Sequence, residues 1–103
     1  MTLDDYQSKA GMFAMYQDDM YPVASLMVES AELADLFIKP KLRGDVVTIE
    51  KRKVMAEAGD VLWNLSNLLK DNDIKLSEVA DYNLIKLADR SKRGVIQGSG
   101  DDR

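Results

Sequence analysis

The chain of 103 residues sets 14 Lys and Arg against 18 Asp and Glu, and its net charge of −4 argues against a broad basic face for sequence-independent binding to a nucleic-acid backbone. It contains no cysteine and no histidine, which excludes disulfides, thiolate zinc sites, cysteine nucleophiles and imidazole acid–base chemistry, so any catalysis falls to carboxylates. With 46% hydrophobic and 31% charged residues the composition is that of one folded domain, whose core is thin enough at this length for association to help it.

Asp4 and Asp5 fall where a signal peptide needs a basic segment followed by an apolar run, and no apolar stretch is long enough to span a bilayer. A soluble, cytoplasmic protein with no membrane partner is expected.

Thr2 followed by Asp5 is a helix-start pattern, a hydroxyl to cap free amides and an acid to complement the helix dipole. Leu3, Tyr6, Ala10 and Phe13 then recur at helical spacing and predict a first helix to about Tyr16. Gln17 to Tyr21 is polar and turn-like, and Pro22 suits the first turn of a new helix. Val23, Leu26, Met27, Ser30, Leu33, Ala34 and Phe37 share one face, which predicts a second helix from about Pro22 to Phe37. Pro40, Gly44 and the basic residues Lys39, Lys41 and Arg43 mark 39–47 as a loop.

Beyond that loop Val54, Ala58, Val61, Leu62, Leu65, Leu68 and Leu69 form the apolar stripe of a third helix reaching about Lys70. After a polar turn at 71–75, Ser77 is the expected cap of a fourth helix that turns Ala80, Leu84 and Leu87 to the core and ends near Arg93 and Gly94. Residues 94–103 carry Gly94, Gly98 and Gly100 without periodicity and read as a flexible tail or a ligand-wrapping arm. Val46 to Ile49 is the one β-branched run and is too short to argue for a strand. The expected architecture is all-α: a single four-helix bundle-like domain over 1–103, completed by homo-oligomerisation.

Two acidic pairs stand out. Glu29 and Glu32 are three apart at the border of the second helix's apolar face, and Glu57 and Asp60 repeat that arrangement on the third. If these helices pack through their apolar stripes, four carboxylates converge on one seam. Such a group repels itself unless it holds a cation or some of its protons. A hard divalent ion, magnesium or manganese, suits all-oxygen ligation. Acids three apart on helices are also common as solvated surface, and each pair alone would favour that reading.

The run Val28-Glu29-Ser30-Ala31-Glu32-Leu33, followed by Ala56-Glu57-Ala58-Gly59-Asp60-Val61-Leu62-Trp63, resembles the ExxE and ExxD signature of MazG-type pyrophosphohydrolases. The segment Asn83 to Arg90 and the Gly98-Ser99-Gly100-Asp101-Asp102-Arg103 ending are similar to that family's C-terminal part, so the resemblance covers roughly Tyr21 to Arg103. Val28 stands where many members carry a further Glu.

The resemblance implies hydrolysis of a (deoxy)nucleoside triphosphate to monophosphate and pyrophosphate, in nucleotide-pool control or house-cleaning, by a homodimer or homotetramer. It makes Glu29, Glu32, Glu57 and Asp60 the expected ligands of Mg2+, with Mn2+ as substitute. Glu29 or Glu32 is the expected acceptor of the attacking water's proton, and the residues do not say which. On the fourth helix Asn83, Lys86 and Arg90 fall on one polar strip and are the expected phosphate-binding residues. The competing expectation is a non-catalytic helical dimerisation module whose acidic strips bind a cation or a basic partner.

Overall fold

The computed structural model describes residues 1–103 as four helices without a strand: α1 (Leu3–Gly11), α2 (Met20–Leu42), α3 (Lys51–Asp71) and α4 (Leu76–Arg93). No helix is long and apolar enough to cross a membrane. Packing is densest between α2 and α3, α1 lies on α3, and α4 meets α1 without comparable packing on α2 or α3. The radius of gyration is 16.4 Å, against about 13 Å for a compact chain of this length, so one chain alone is an open arrangement.

The predicted start of α1 is present as a full capping box: the Asp5 amide donates to Thr2 Oγ1 (3.0 Å) and the Thr2 amide to Asp5 Oδ2 (3.2 Å). The helix stops at Gly11, not near Tyr16. From Met12 to Ala14 the amides bond three residues back, tightening the chain into a turn. Gly11 lies against the Lys70 side chain, and an added Cβ there would collide with it.

At the next helix the Met20 amide is capped by Asp18 Oδ1 (2.9 Å), and α2 continues past the predicted end to Leu42, with Pro40 in its last turn. One missing amide so close to the end sacrifices a single intrahelical bond, so the proline does not stop the helix. The stop comes at Gly44, whose φ of +80° allows Asp45 to donate to the Pro40 carbonyl and Gly44 to Lys41. Asp73 (φ 57°) ends α3 in the same motif, and Gly94 (φ 75°) ends α4.

Ser77 is not the cap of α4; Lys75 holds that position and caps nothing with its side chain. The free amides at this helix start are taken by α1. Leu76 N donates to Gln7 Oε1 (3.1 Å), Ser77 N to Asp4 Oδ1 (3.1 Å) and Ser77 Oγ to Asp4 Oδ2 (2.7 Å). Gln7 Nε2 donates to the carbonyls of Ser66 (3.2 Å) and Ile74 (3.0 Å), so one buried amide ties α1, α3 and α4 together.

The apolar stripes are only partly buried. Among apolar side chains Ala10, Leu69 and Leu76 are enclosed, while the buried part of α3 is mostly polar: Asn64, Ser66 and Asn67. Leu62 stays exposed, and on α4 Leu84, predicted to face the core, is 64% exposed beside Ile85 at 70%. Ala80 and Leu87 are half-buried as the spacing predicts.

Candidate metal centre

The antiparallel pairing of α2 with α3 sets the middle of one helix against the first half of the other, and this is where the acids meet. Glu29, Glu57 and Asp60 each offer a carboxylate oxygen within 4.8 Å of the others. Glu32, one turn after Glu29, is exposed and stands within hydrogen-bonding reach of both Glu29 and Glu57. Helical spacing brings each pair to the seam, and hairpin packing brings the pairs together.

None of the four acids forms an ion pair with a Lys or Arg. Glu29 Oε2 and Glu57 Oε2 are buried without a hydrogen-bond partner. Loss of water and then the neighbouring charge of Glu32 push both carboxyls above their ordinary range, with Asp60 adding to each. Orphaned, mutually repelling carboxylate oxygens at this spacing are a donor set that a hard divalent cation fits.

A family model described as the MazG nucleotide pyrophosphohydrolase domain matches residues 20–95, from the first residue of α2 to just beyond α4. The chain belongs to the MazG family. Gene 37 protein of Mycobacterium phage L5 is 39% identical over 115 aligned positions covering the whole of both chains. No solved structure matches. The matched span contains all four acids together with Asn83, Lys86 and Arg90, and leaves out α1 and residues 96–103.

The strip on α4 is not joined to the MazG acids within one chain, because α4 packs on α1. Asn83 is exposed. Lys86 is half-buried over the Tyr82 ring, its Nζ 5.7 Å from the ring centre and 2.8 Å from Asp101 Oδ1. The Arg90 guanidinium is enclosed by the folded tail, with Nη2 donating to the Asp101 carbonyl (3.0 Å), and is not open to a ligand in this arrangement. Lys39 and Lys41, expected in a loop, lie in the last turn of α2, where Lys39 pairs with Asp35 one turn back, and Arg43 just beyond the helix pairs with Asp45.

A groove beside α3 carries no signal in the spacing of the apolar residues. Trp63, one turn after Asp60, donates its indole N–H to the Ala10 carbonyl (3.1 Å) and meets Tyr16 edge-on. Tyr16 stacks on Tyr21 with ring centres 5.6 Å apart and donates its hydroxyl to Asp71 Oδ2 (2.6 Å). With Phe13 these rings line an open groove of about 570 Å³. Ending α1 early is what turns Phe13 and Tyr16 toward α3, so reading the first helix on to Tyr16 hid the groove.

Proposed function

We propose that this MazG protein hydrolyses (deoxy)nucleoside triphosphates to the nucleoside monophosphate and pyrophosphate, using Mg2+, or Mn2+ in its place, held by Glu29, Glu32, Glu57 and Asp60. The observation that carries the reading is the pair of buried, unpartnered oxygens, Glu29 Oε2 and Glu57 Oε2, in a cluster without a basic neighbour. When bound, the divalent ion supplies charge neutralisation for the phosphates and makes an attacking water more acidic. Glu57 and Asp60 hold the ion from α3. Either Glu29 or Glu32 would also accept the attacking water's proton.

Asn83 and Lys86 contact the phosphates, an amide donor and a point charge, and Arg90 backs them from the same helix. Because α4 leaves its own α2 and α3, these residues serve the carboxylates of a neighbouring copy in a homodimer or homotetramer. Exposed Leu84 and Ile85 support that reading, since association gives them an apolar partner. Trp63 and the groove next to it give the base an aromatic face.

The test is pyrophosphate release from a panel of ribo- and deoxynucleoside triphosphates with magnesium, with and without chelator, comparing wild type with Glu32→Ala and Asp60→Ala. Chelator-sensitive release lost in both variants supports the reading, and the panel identifies the base. A folded protein that releases nothing while still binding the cation would instead be a helical dimerisation module.

A further inference from the structure

Residues 95–103 are built around one side chain. Arg103 donates through Nε to the Val95 carbonyl (3.2 Å), through Nη1 to Gly100 (2.6 Å) and through Nη2 to Ile96 (3.0 Å). Gly98 (φ 133°) and Gly100 (φ 87°) supply conformations that other residues rarely adopt, and a Cβ on Gly98 would press on the Arg103 side chain at 3.2 Å. Arg93 then holds the Arg103 carbonyl (2.7 Å). The tail is thereby closed against α4 and presents Asp101 to that helix.

There the Asp101 carboxylate meets Lys86 Nζ at 2.8 Å, and both its carbonyl and its Oδ1 face Arg90 Nη2. Arg90 is the one charged residue the fold buries, its side chain 7% exposed. The tail both covers that guanidinium and supplies its counter-charge and acceptor, so burial and pairing come together in the closed arrangement. An ammonium has three donors and Asp101 uses one, leaving two for another anion. Tyr82 lies below the same ammonium.

We infer that Asp101, delivered by the Arg103-centred tail, is a positioning residue that fixes the Lys86 ammonium for the triphosphate's phosphate groups. The inference rests on the proposed role of Lys86 as a phosphate contact. Without Asp101 the long side chain must be ordered by each incoming substrate, and that entropy is charged to binding.

The experiment compares wild type, Asp101→Asn, Lys86→Ala and the double variant, in steady-state hydrolysis and in calorimetric binding of inorganic tripolyphosphate with magnesium. Asp101→Asn raises KM and the tripolyphosphate dissociation constant about two- to tenfold with kcat little changed, the cost of re-ordering one long side chain. The double variant is no worse than Lys86→Ala alone, because Asp101 acts through Lys86. Asp101→Glu restores part of the loss. Effects that multiply, or an Asp101→Asn that binds tighter, would overturn the inference, the latter showing that the tail competes with phosphate.

The two arms separate this idea from the one beneath it. Coupled loss of tripolyphosphate binding in a protein with no turnover leaves the positioning role standing and removes the hydrolase reading. Normal turnover with no coupling does the reverse. No turnover and no tripolyphosphate binding removes both.

Discussion

Glu29 on α2 and Glu57 on α3 share the hairpin seam, and each buries an Oε2 that no hydrogen-bond donor reaches. Both carboxyls are raised above their ordinary value of 4.5, by desolvation first and by the charge of Glu32 next. A raised carboxyl binds its proton more tightly folded than unfolded, so the associated stability is complete below that ordinary value and is lost as pH climbs through the raised ones. The chelated protein therefore melts at progressively lower temperature as pH rises above that ordinary value and the two carboxyls ionise. Asp4 and Asp101 are lowered by their partners and act in the opposite sense, but only as pH falls below 3.8. Added magnesium or manganese reverses the trend, and the gain grows with pH because cation and proton compete for the same oxygens. Melting curves across pH, with chelator and with each ion, check this; an ion effect independent of pH would count against the carboxylate site.

Glu57→Gln separates stability from function at that seam. The amide keeps the shape and removes one charge from a group that has no cation among its side chains. We expect the metal-free variant to melt higher than wild type at neutral pH, while metal-dependent pyrophosphate release falls about 100-fold or more. Paired thermal melts and turnover assays decide it. Loss of both would mean that Glu57 is needed for packing.

The acids were legible in the sequence because a helix places i and i+3 side by side whatever else it packs against, so the α2–α3 pairing was enough to bring Glu29, Glu57 and Asp60 together, with Glu32 one turn along. Helix ends were less legible. Pro40 reads as a stop, yet sits where only one hydrogen bond is at stake, and Gly44 provides the real termination. Ser77 has the chemistry of a cap, but Gln7 and Asp4 reach α4 from about seventy positions away in sequence, a contact that local pattern cannot announce. Leu84 fits the helical period of a core residue and is exposed, since periodicity identifies an apolar face without saying whether its partner belongs to the same chain.

Gln7→Ala tests the knot that aims α4. The substitution removes two donors and an acceptor at a buried position and leaves the Ser66 and Ile74 carbonyls and the Leu76 amide short of partners. The expected loss is about 2 to 4 kcal/mol of stability. That corresponds to a fall of roughly 10 °C or more in Tm for a domain of this size. Gln7→Glu should recover little, since a carboxylate accepts from Leu76 but donates to neither carbonyl. Denaturant melts of the three proteins give the comparison, and a loss confined to the alanine variant would show that the amide donors are dispensable.

The exposed Leu84 and Ile85, and the distance of α4 from its own α2 and α3, make association and site assembly one question. Light scattering should give a multiple of 11.6 kDa for wild type, and Leu84→Asp with Ile85→Lys should reduce it toward that single-chain mass. Which copy's α4 serves which carboxylates is settled by mixing. Asp60→Ala leaves a chain without a working metal site but with an intact Lys86, whereas Lys86→Ala keeps the site and weakens substrate binding. If α4 acts on its neighbour, excess Asp60→Ala protein exchanged into Lys86→Ala oligomers supplies the missing ammonium and returns KM to the wild-type value. If α4 acts on its own chain, every working site still lacks Lys86 and KM stays high at all mixing ratios, which would tie the strip and the acids together within a single subunit.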